Sequence, residues 1–339
     1  MRTLSINDTN VLKGIALLLL LCHHCFYPGE PYDDIILFGH PVVQNIGEFS
    51  KLCVAIFVFL SGYGLTIQTM AKGGIGNVLA FYRRRYVKLM INYWLIWLIF
   101  VPIGVFFFHR TFPLVYGEHY IFRAFWDFLG LYLVVFGQYG YNATWWFYSC
   151  IIVLYLFYPL IWRLRDFWFV LIPFAYVFPV ITQFVPFIDH SLCQEYFLSF
   201  VCGMSLAYLD PKIKDVKLGG AILLTLVFFL VCIYRFYAIQ PSRWDAAVVI
   251  LGITLYCTIQ IPTRLLKGLS FFGKHSFNIF LFHSFILGYY LHDYIYWSRS
   301  PLLIFLTLLV VCTPISMLIE WIKDVSMINY LQNRLIGNS

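Results

Sequence analysis

Ala221-Ile222-Leu223-Leu224-Thr225-Leu226-Val227-Phe228-Phe229-Leu230-Val231-Cys232-Ile233-Tyr234 is an apolar run interrupted only by Thr225. A membrane-crossing strand alternates apolar and polar residues over about ten positions. This run does not alternate, and neither does Ile15 to Cys22. Lipid offers the backbone no hydrogen bonds, so only helices and closed barrels can cross it; the runs here read as helices. Composition points the same way. Of 339 residues, 61% are apolar and 12% charged, against roughly 45–50% and about 25% in soluble domains. A chain this apolar cannot bury its surface within itself, so its exterior faces lipid. The 35 Phe, 25 Tyr and 10 Trp suit a protein with rings at the headgroup level. The fold class is therefore all-α, a polytopic membrane protein with membrane lipid as its surroundings.

Ten candidate spans follow, at about 11–27, 51–70, 89–108, 145–162, 167–186, 194–209, 218–237, 246–261, 270–291 and 301–322, each near the ~20 residues a perpendicular helix requires. Phe122 to Phe136 is also apolar, but it is short and carries Asp127. It reads as a re-entrant or interfacial helix, with an eleventh span as the alternative. With the N-terminus in the cytoplasm, 17 of the 23 Lys and Arg fall inside, among them Lys13, Arg83, Arg84, Arg85, Lys88, Lys212, Lys214, Lys217 and Arg264. The positive-inside rule favours that orientation, and an even span count places the C-terminus inside as well. Val11 to Phe26 reads as an uncleaved first span, and residues 1–339 as a single membrane domain. The net charge of +7 is explained by topology and not by nucleic-acid binding. The nine cysteines form no paired framework.

Ionisable groups within a span are costly and mark function or pairing. Lys13 opens the first span, and His24 follows eleven residues on, roughly 16 Å along a helix. His23 is its neighbour, about 100° round the helix. His283, in the ninth span, reaches a similar depth to His24. Neutral imidazole accepts a proton near pH 7, which suits a general base; a histidine bonded to a neighbouring helix is the plain alternative. Cys22-His23-His24-Cys25 matches no usual zinc spacing, so no metal is expected. Arg83-Arg84-Arg85-Tyr86-Val87-Lys88 ahead of the third span has two readings. It is an anchor to anionic lipid, or a phosphate clamp in which Arg85 and Lys88 share a helix face and hold a cofactor such as a coenzyme A thioester. Ser61-Gly62-Tyr63-Gly64, in the second span, permits close approach of a helix or a ligand.

Taken in order, these segments resemble the acyltransferase-3 family of integral membrane acyltransferases. The likeness runs from about Asp8 to His283. It rests on Lys13 and His24 with ten residues between them, on Ile56 to Tyr63 ending in Ser-Gly-Tyr, and on Arg85-Tyr86-Val87-Lys88 followed by Tyr93-Trp94. It continues through Trp145-Trp146-Phe147, Phe200-Val201-Cys202-Gly203-Met204, and Gly273 to His283. Lys88 stands where the family usually has a second Arg, which keeps the charge but loses the fork. The resemblance implies an enzyme that moves an acyl group from cytoplasmic acyl-CoA, acetyl-CoA foremost, to a sugar hydroxyl on an envelope polysaccharide or lipid-linked carbohydrate. It implies a multi-pass protein of the cytoplasmic (inner) membrane. It gives donor binding to Lys13, Arg85 and Lys88. His24 becomes the base or covalent relay, with Ser61 and His283 as further catalytic candidates and Trp146 and His23 in the substrate pocket. Two other readings remain at this stage: a transporter or flippase of glycan or acyl substrate, and a sensor that keeps the fold without catalysis. Neither half of the chain shows the paired repeat common in transporters.

Overall fold

The computed structural model describes residues 4–182, 192–209, 218–238, 243–259 and 266–336. In chain order the helices are α1 (Ile6–Cys25), α2 (Val42–Phe49), α3 (Leu52–Ala71), α4 (Val78–Phe107), α5 (Phe112–Tyr116), α6 (Tyr120–Phe128) and α7 (Tyr132–Phe136). They continue with α8 (Trp146–Arg163), α9 (Trp168–Thr182), α10 (Leu192–Glu195), α11 (Phe197–Leu209), α12 (Leu218–Ala238) and α13 (Arg243–Thr258). The last are α14 (Lys267–Ser284), α15 (His292–Tyr296), α16 (Pro301–Val325) and α17 (Ile328–Ile336). A π-helix, Phe285–Tyr290, directly follows α14. Strands β1 (Ile36–Leu37) and β2 (His40–Pro41) form one small antiparallel pair.

Among the described residues, seven helical segments are long and apolar enough to cross a membrane: Ile6–Cys25, Val42–Ala71, Val78–Phe107, Ala143–Arg163, Arg165–Thr182, Gly219–Tyr237 and Pro301–Val325. Phe197–Leu209 and Trp244–Thr258 are apolar but shorter. Two helices begin earlier than hydropathy alone predicts, because their caps lie upstream. Ser5 accepts from the Asp8 amide while the Asp8 carboxylate accepts from the Ser5 amide, a reciprocal capping box that starts α1. Asn77 accepts from the Ala80 amide and starts α4, so the Arg83–Lys88 run sits inside that helix and not ahead of it. Phe122 to Phe136 is not one span. It is divided between α6 and α7 around Gly130, whose φ of 71 suits glycine; nine and five residues are too short to cross. Lys212, Lys214, Lys217 and Arg264, and the ends of the expected fifth and eighth spans, lie outside the described residues.

The backbone divides into two compact units. The first comprises Met1–Gly74, Leu160–His190 and Gln194–Ser276. Here α11 packs on α3, and each helix presents a glycine to the other's backbone. A methyl group at Gly62 would overlap the Phe200 carbonyl oxygen, and one at Gly203 would overlap that of Phe59. Without a hydrophobic force between helices in lipid, such close approach is what holds them together. The start of α14 meets α1 in the same way, with Gly14 against the Leu269 carbonyl and Gly273 against that of Asn10. Arg235 and Asp245 join α12 to α13 through a buried ion pair at 2.6 Å, and the same guanidinium donates to the Glu48 carbonyl at 3.2 Å. Tyr256 donates to Asp8 at 2.7 Å and so ties α13 to the beginning of α1.

The second unit comprises Ile75–Pro159, Ser191–Cys193 and Phe277–Ser339. Its interior is aromatic. The Tyr93 ring on α4 stacks on Tyr148 of α8 with centroids 4.5 Å apart and meets Trp145 edge-on at 4.7 Å. Offset and edge-on pairs of this kind add ~0.5–1.5 kcal/mol each beyond their burial. Trp145 donates to the Leu281 carbonyl at 2.9 Å. On α16, Glu320 accepts from Asn278 at 2.5 Å and from Lys323 at 2.6 Å. Helix α17 packs against α4.

Candidate functional site

Four of the expected residues belong to the first unit. Lys13 and His24 stand on the one unbroken helix α1. At 1.5 Å and 100° per residue, eleven steps separate them by about 16 Å along the axis and about 20° around it, so both occupy the same face. Each is half-buried. His23 is turned off that face and is 8% exposed. Its Nδ1 lies 2.9 Å from the Gly47 carbonyl oxygen, which accepts only if that nitrogen carries the proton; Nε2 is then the basic nitrogen. The rings of His23 and His24 lie 5.0 Å apart. Ser61 is half-buried on α3, a helix that packs on α1. Its neighbours serve the fold: Gly62 allows α11 to close in, and the Tyr63 hydroxyl accepts from the Leu4 amide at 3.1 Å.

The other four belong to the second unit. Arg85 lies on α4 with its guanidinium 5.7 Å from the centre of the Phe81 ring, and Lys88, one turn on, is exposed. Gln332 of α17 donates to the Lys88 carbonyl at 3.3 Å. His283 is wholly buried. Its Nδ1 lies 2.9 Å from the Phe280 carbonyl oxygen and 3.1 Å from that of Ile279, so this ring too carries its proton on Nδ1 and keeps Nε2 as the basic nitrogen. The π-helix begins two residues later. Such bulges are rare and recur at functional sites. Here it brings the Tyr289 ring under the Arg110 guanidinium at 3.7 Å, and the Tyr290 hydroxyl donates to the Phe100 carbonyl at 2.5 Å.

Trp146 lines a small cavity in the second unit. Tyr93, Asp127, Asn142 and Trp145 form its buried walls, and Gln138 and Tyr139 its exposed rim. Asp127 is the centre of the arrangement and is only 2% exposed. Its Oδ2 accepts from the Tyr116 hydroxyl at 2.5 Å and from the Tyr141 amide at 2.7 Å. The Tyr93 hydroxyl donates to the Asp127 carbonyl at 2.6 Å and lies 3.4 Å from Oδ1. Burial pushes this carboxyl up to about 6, although its three hydrogen-bond donors pull the other way. Tyr116 is raised far above the usual phenol range by burial and then by the Asp127 charge. Sequence reasoning gave Asp127 no functional part. Its only local signal is an acid in an apolar stretch, and its partners come from α4, α5 and the segment before α8.

The long apolar helices make this a multi-pass α-helical membrane protein. Residues 6–321 match the family model for the acyltransferase-3 domain, described as an acyltransferase domain. The match covers nearly the whole chain and both units. The chain belongs to the acyltransferase-3 family and is an acyltransferase by that membership. No curated protein and no solved structure matches it.

Proposed function

We propose that this protein is an O-acyltransferase that takes an acyl group, acetyl foremost, from cytoplasmic acyl-CoA and places it on a hydroxyl of an envelope polysaccharide or lipid-linked sugar. One observation carries the reading: Lys13 and His24 share a face of one helix inside the family domain, an anionic-group binder and a base about two helical turns beyond contact distance of each other. Lys13, Arg85 and Lys88 bind the phosphates of the donor. His24 removes the proton of the acceptor hydroxyl or carries the acyl group between the two substrates. Ser61 and His283 assist that chemistry, and Trp146 and His23 shape the acceptor pocket. No metal takes part. In this reading the protein crosses the cytoplasmic membrane ten times with both termini inside; the seven long and two shorter apolar helices supply nine crossings, and α14 is taken as the tenth.

Two variants separate the chemistry from donor binding. General-base catalysis contributes about 10²–10⁴-fold, so His24→Ala should lose acyl transfer by at least about a hundredfold while its melting temperature in detergent is kept. Full turnover by that variant would remove His24 from the reaction. Arg85→Ala with Lys88→Ala should weaken acyl-CoA binding, most clearly at low salt where charge is least screened. Unchanged donor affinity would reduce the basic run to a lipid anchor.

A further inference from the structure

Ile35-Ile36-Leu37-Phe38-Gly39, between α1 and α2, carries no charge and no polar side chain. It forms most of the β1–β2 hairpin, in which Ile36 pairs with Pro41 and Leu37 with His40. The two residues at the turn, Phe38 and Gly39, have φ of 50 and 78. A two-residue turn with both φ positive favours Asn-Gly, Asp-Gly or Gly-Gly. A bulky ring at the first position is strained there. Phe38 is also 91% exposed, and Ile35, Ile36 and Leu37 are exposed beside it. In water neither the strain nor the exposed apolar surface would be repaid.

The base of the hairpin is fixed. The Asp34 carboxylate accepts from the Val43 amide at 2.8 Å and from the Gln44 amide at 3.0 Å, where a negative charge meets the positive end of α2. The Val42 amide donates to the Ile35 carbonyl at 2.9 Å. On the other strand, the His40 ring meets the Tyr237 ring of α12 edge-on, with centroids 5.4 Å apart.

Helix α12 shows what surrounds the hairpin. Ile222, Leu223, Leu226, Phe229, Leu230 and Ile233 are all exposed along it, which makes it a lipid-facing wall of the first unit. At the end nearest the hairpin the exposed residues become Tyr234 and Tyr237, and the Tyr234 ring lies 4.9 Å from that of Trp244 at the start of α13. Tyr and Trp collect where hydrocarbon gives way to headgroups. The contact between His40 and Tyr237 therefore sets the base of the hairpin at that level, against the rim of a surface that already faces lipid.

We propose that the hairpin tip, Ile35 to Phe38, inserts into the bilayer leaflet at the C-terminal end of α12 and anchors the α1–α2 segment to that membrane surface. A two-stranded ribbon leaves backbone groups open on its outer edges, and these need water or headgroup oxygens. The tip is accordingly held to the interfacial layer, at a depth on the order of the 5–10 Å reached by amphipathic helices. A partner protein or a second copy of the chain could cover the same side chains, but neither accounts for their continuity with the lipid-facing side of α12 and its aromatic end. The anchored segment leads directly from the His23–His24 end of α1. The inference uses none of the acyl-transfer assignments.

The purified full chain, one copy per phospholipid nanodisc, tests it. Phe38→Cys should react with a charged, membrane-impermeant maleimide at least tenfold more slowly than Asp33→Cys, an exposed position beside the same hairpin. Wild-type protein gives the background from the native cysteines, and in sodium dodecyl sulfate both variants should react alike. If Phe38→Cys does not accumulate, Leu37→Cys takes its place. A single-copy nanodisc contains no partner and no second chain, so protection there comes from lipid. The photoreactive residue p-benzoylphenylalanine in place of Phe38, illuminated in native membranes, should yield an adduct of phospholipid mass. Equal maleimide rates at the two positions in nanodiscs would overturn the proposal. So would photoadducts confined to another polypeptide or a second copy, or lipid adducts no more abundant than with the probe in place of Asp33.

Discussion

Asp127 makes the folded protein sensitive to pH in a direction unusual for an acid. Its carboxyl, ordinarily near 3.8, is lifted by burial to about 6. Between those values the folded chain holds the proton and the unfolded chain does not, so stability falls as pH rises through that window and is level above it. A shift of this size corresponds to on the order of 3 kcal/mol. The unfolding midpoint of the wild type should therefore carry a component that declines from about pH 4 to pH 6, and Asp127→Asn should flatten it. An unaltered pH profile in the variant would mean that the carboxyl titrates normally. The same residue marks the limit of sequence reasoning. The Lys13–His24 spacing was legible because eleven helical steps return to one face, a local property. Nothing local says that Asp127 meets Tyr116 and the Tyr141 amide, since those contacts cross a change of helix and two loops.

At the scale of helices, the motif glycines are packing devices. Gly62 and Gly203 belong to separate motifs, Ser61-Gly62-Tyr63 and Phe200-Val201-Cys202-Gly203-Met204, and each presses on the backbone of the other's helix. Gly62→Ala or Gly203→Ala would force α3 and α11 apart, and overpacking of this kind costs about 1–3 kcal/mol. Gly64, two residues along α3, has nothing within 4 Å of where its side chain would be. Gly64→Ala should then be neutral or gain up to about 1 kcal/mol in helix propensity. Thermal unfolding of the three variants in detergent checks the contrast, and equal melting temperatures would refute it. The sequence offered only that small residues allow close approach; which helix approaches is a tertiary fact. The π-helix after His283 was likewise not readable, because it depends on where Tyr289 and Tyr290 find their partners.

For the whole molecule, orientation follows from charge. If the spans number ten with both termini inside, a fluorescent protein fused after α17 should fold and fluoresce in the cytoplasm, while a periplasm-dependent phosphatase there should be inactive. The phosphatase inserted in the segment between α1 and α2 should be active. An active phosphatase at the C-terminus would require an odd number of spans. By itself the sequence determined that the protein is helical, that it lives in lipid, and that Lys13 and His24 share a helix face, because hydropathy and helical period act over neighbouring residues. The Asp127 cavity, the Gly62–Gly203 contact and the tautomer of His23 were decided only in three dimensions. Each depends on a backbone oxygen, an amide or a hydroxyl delivered by packing, and such groups are present in every sequence until folding places them.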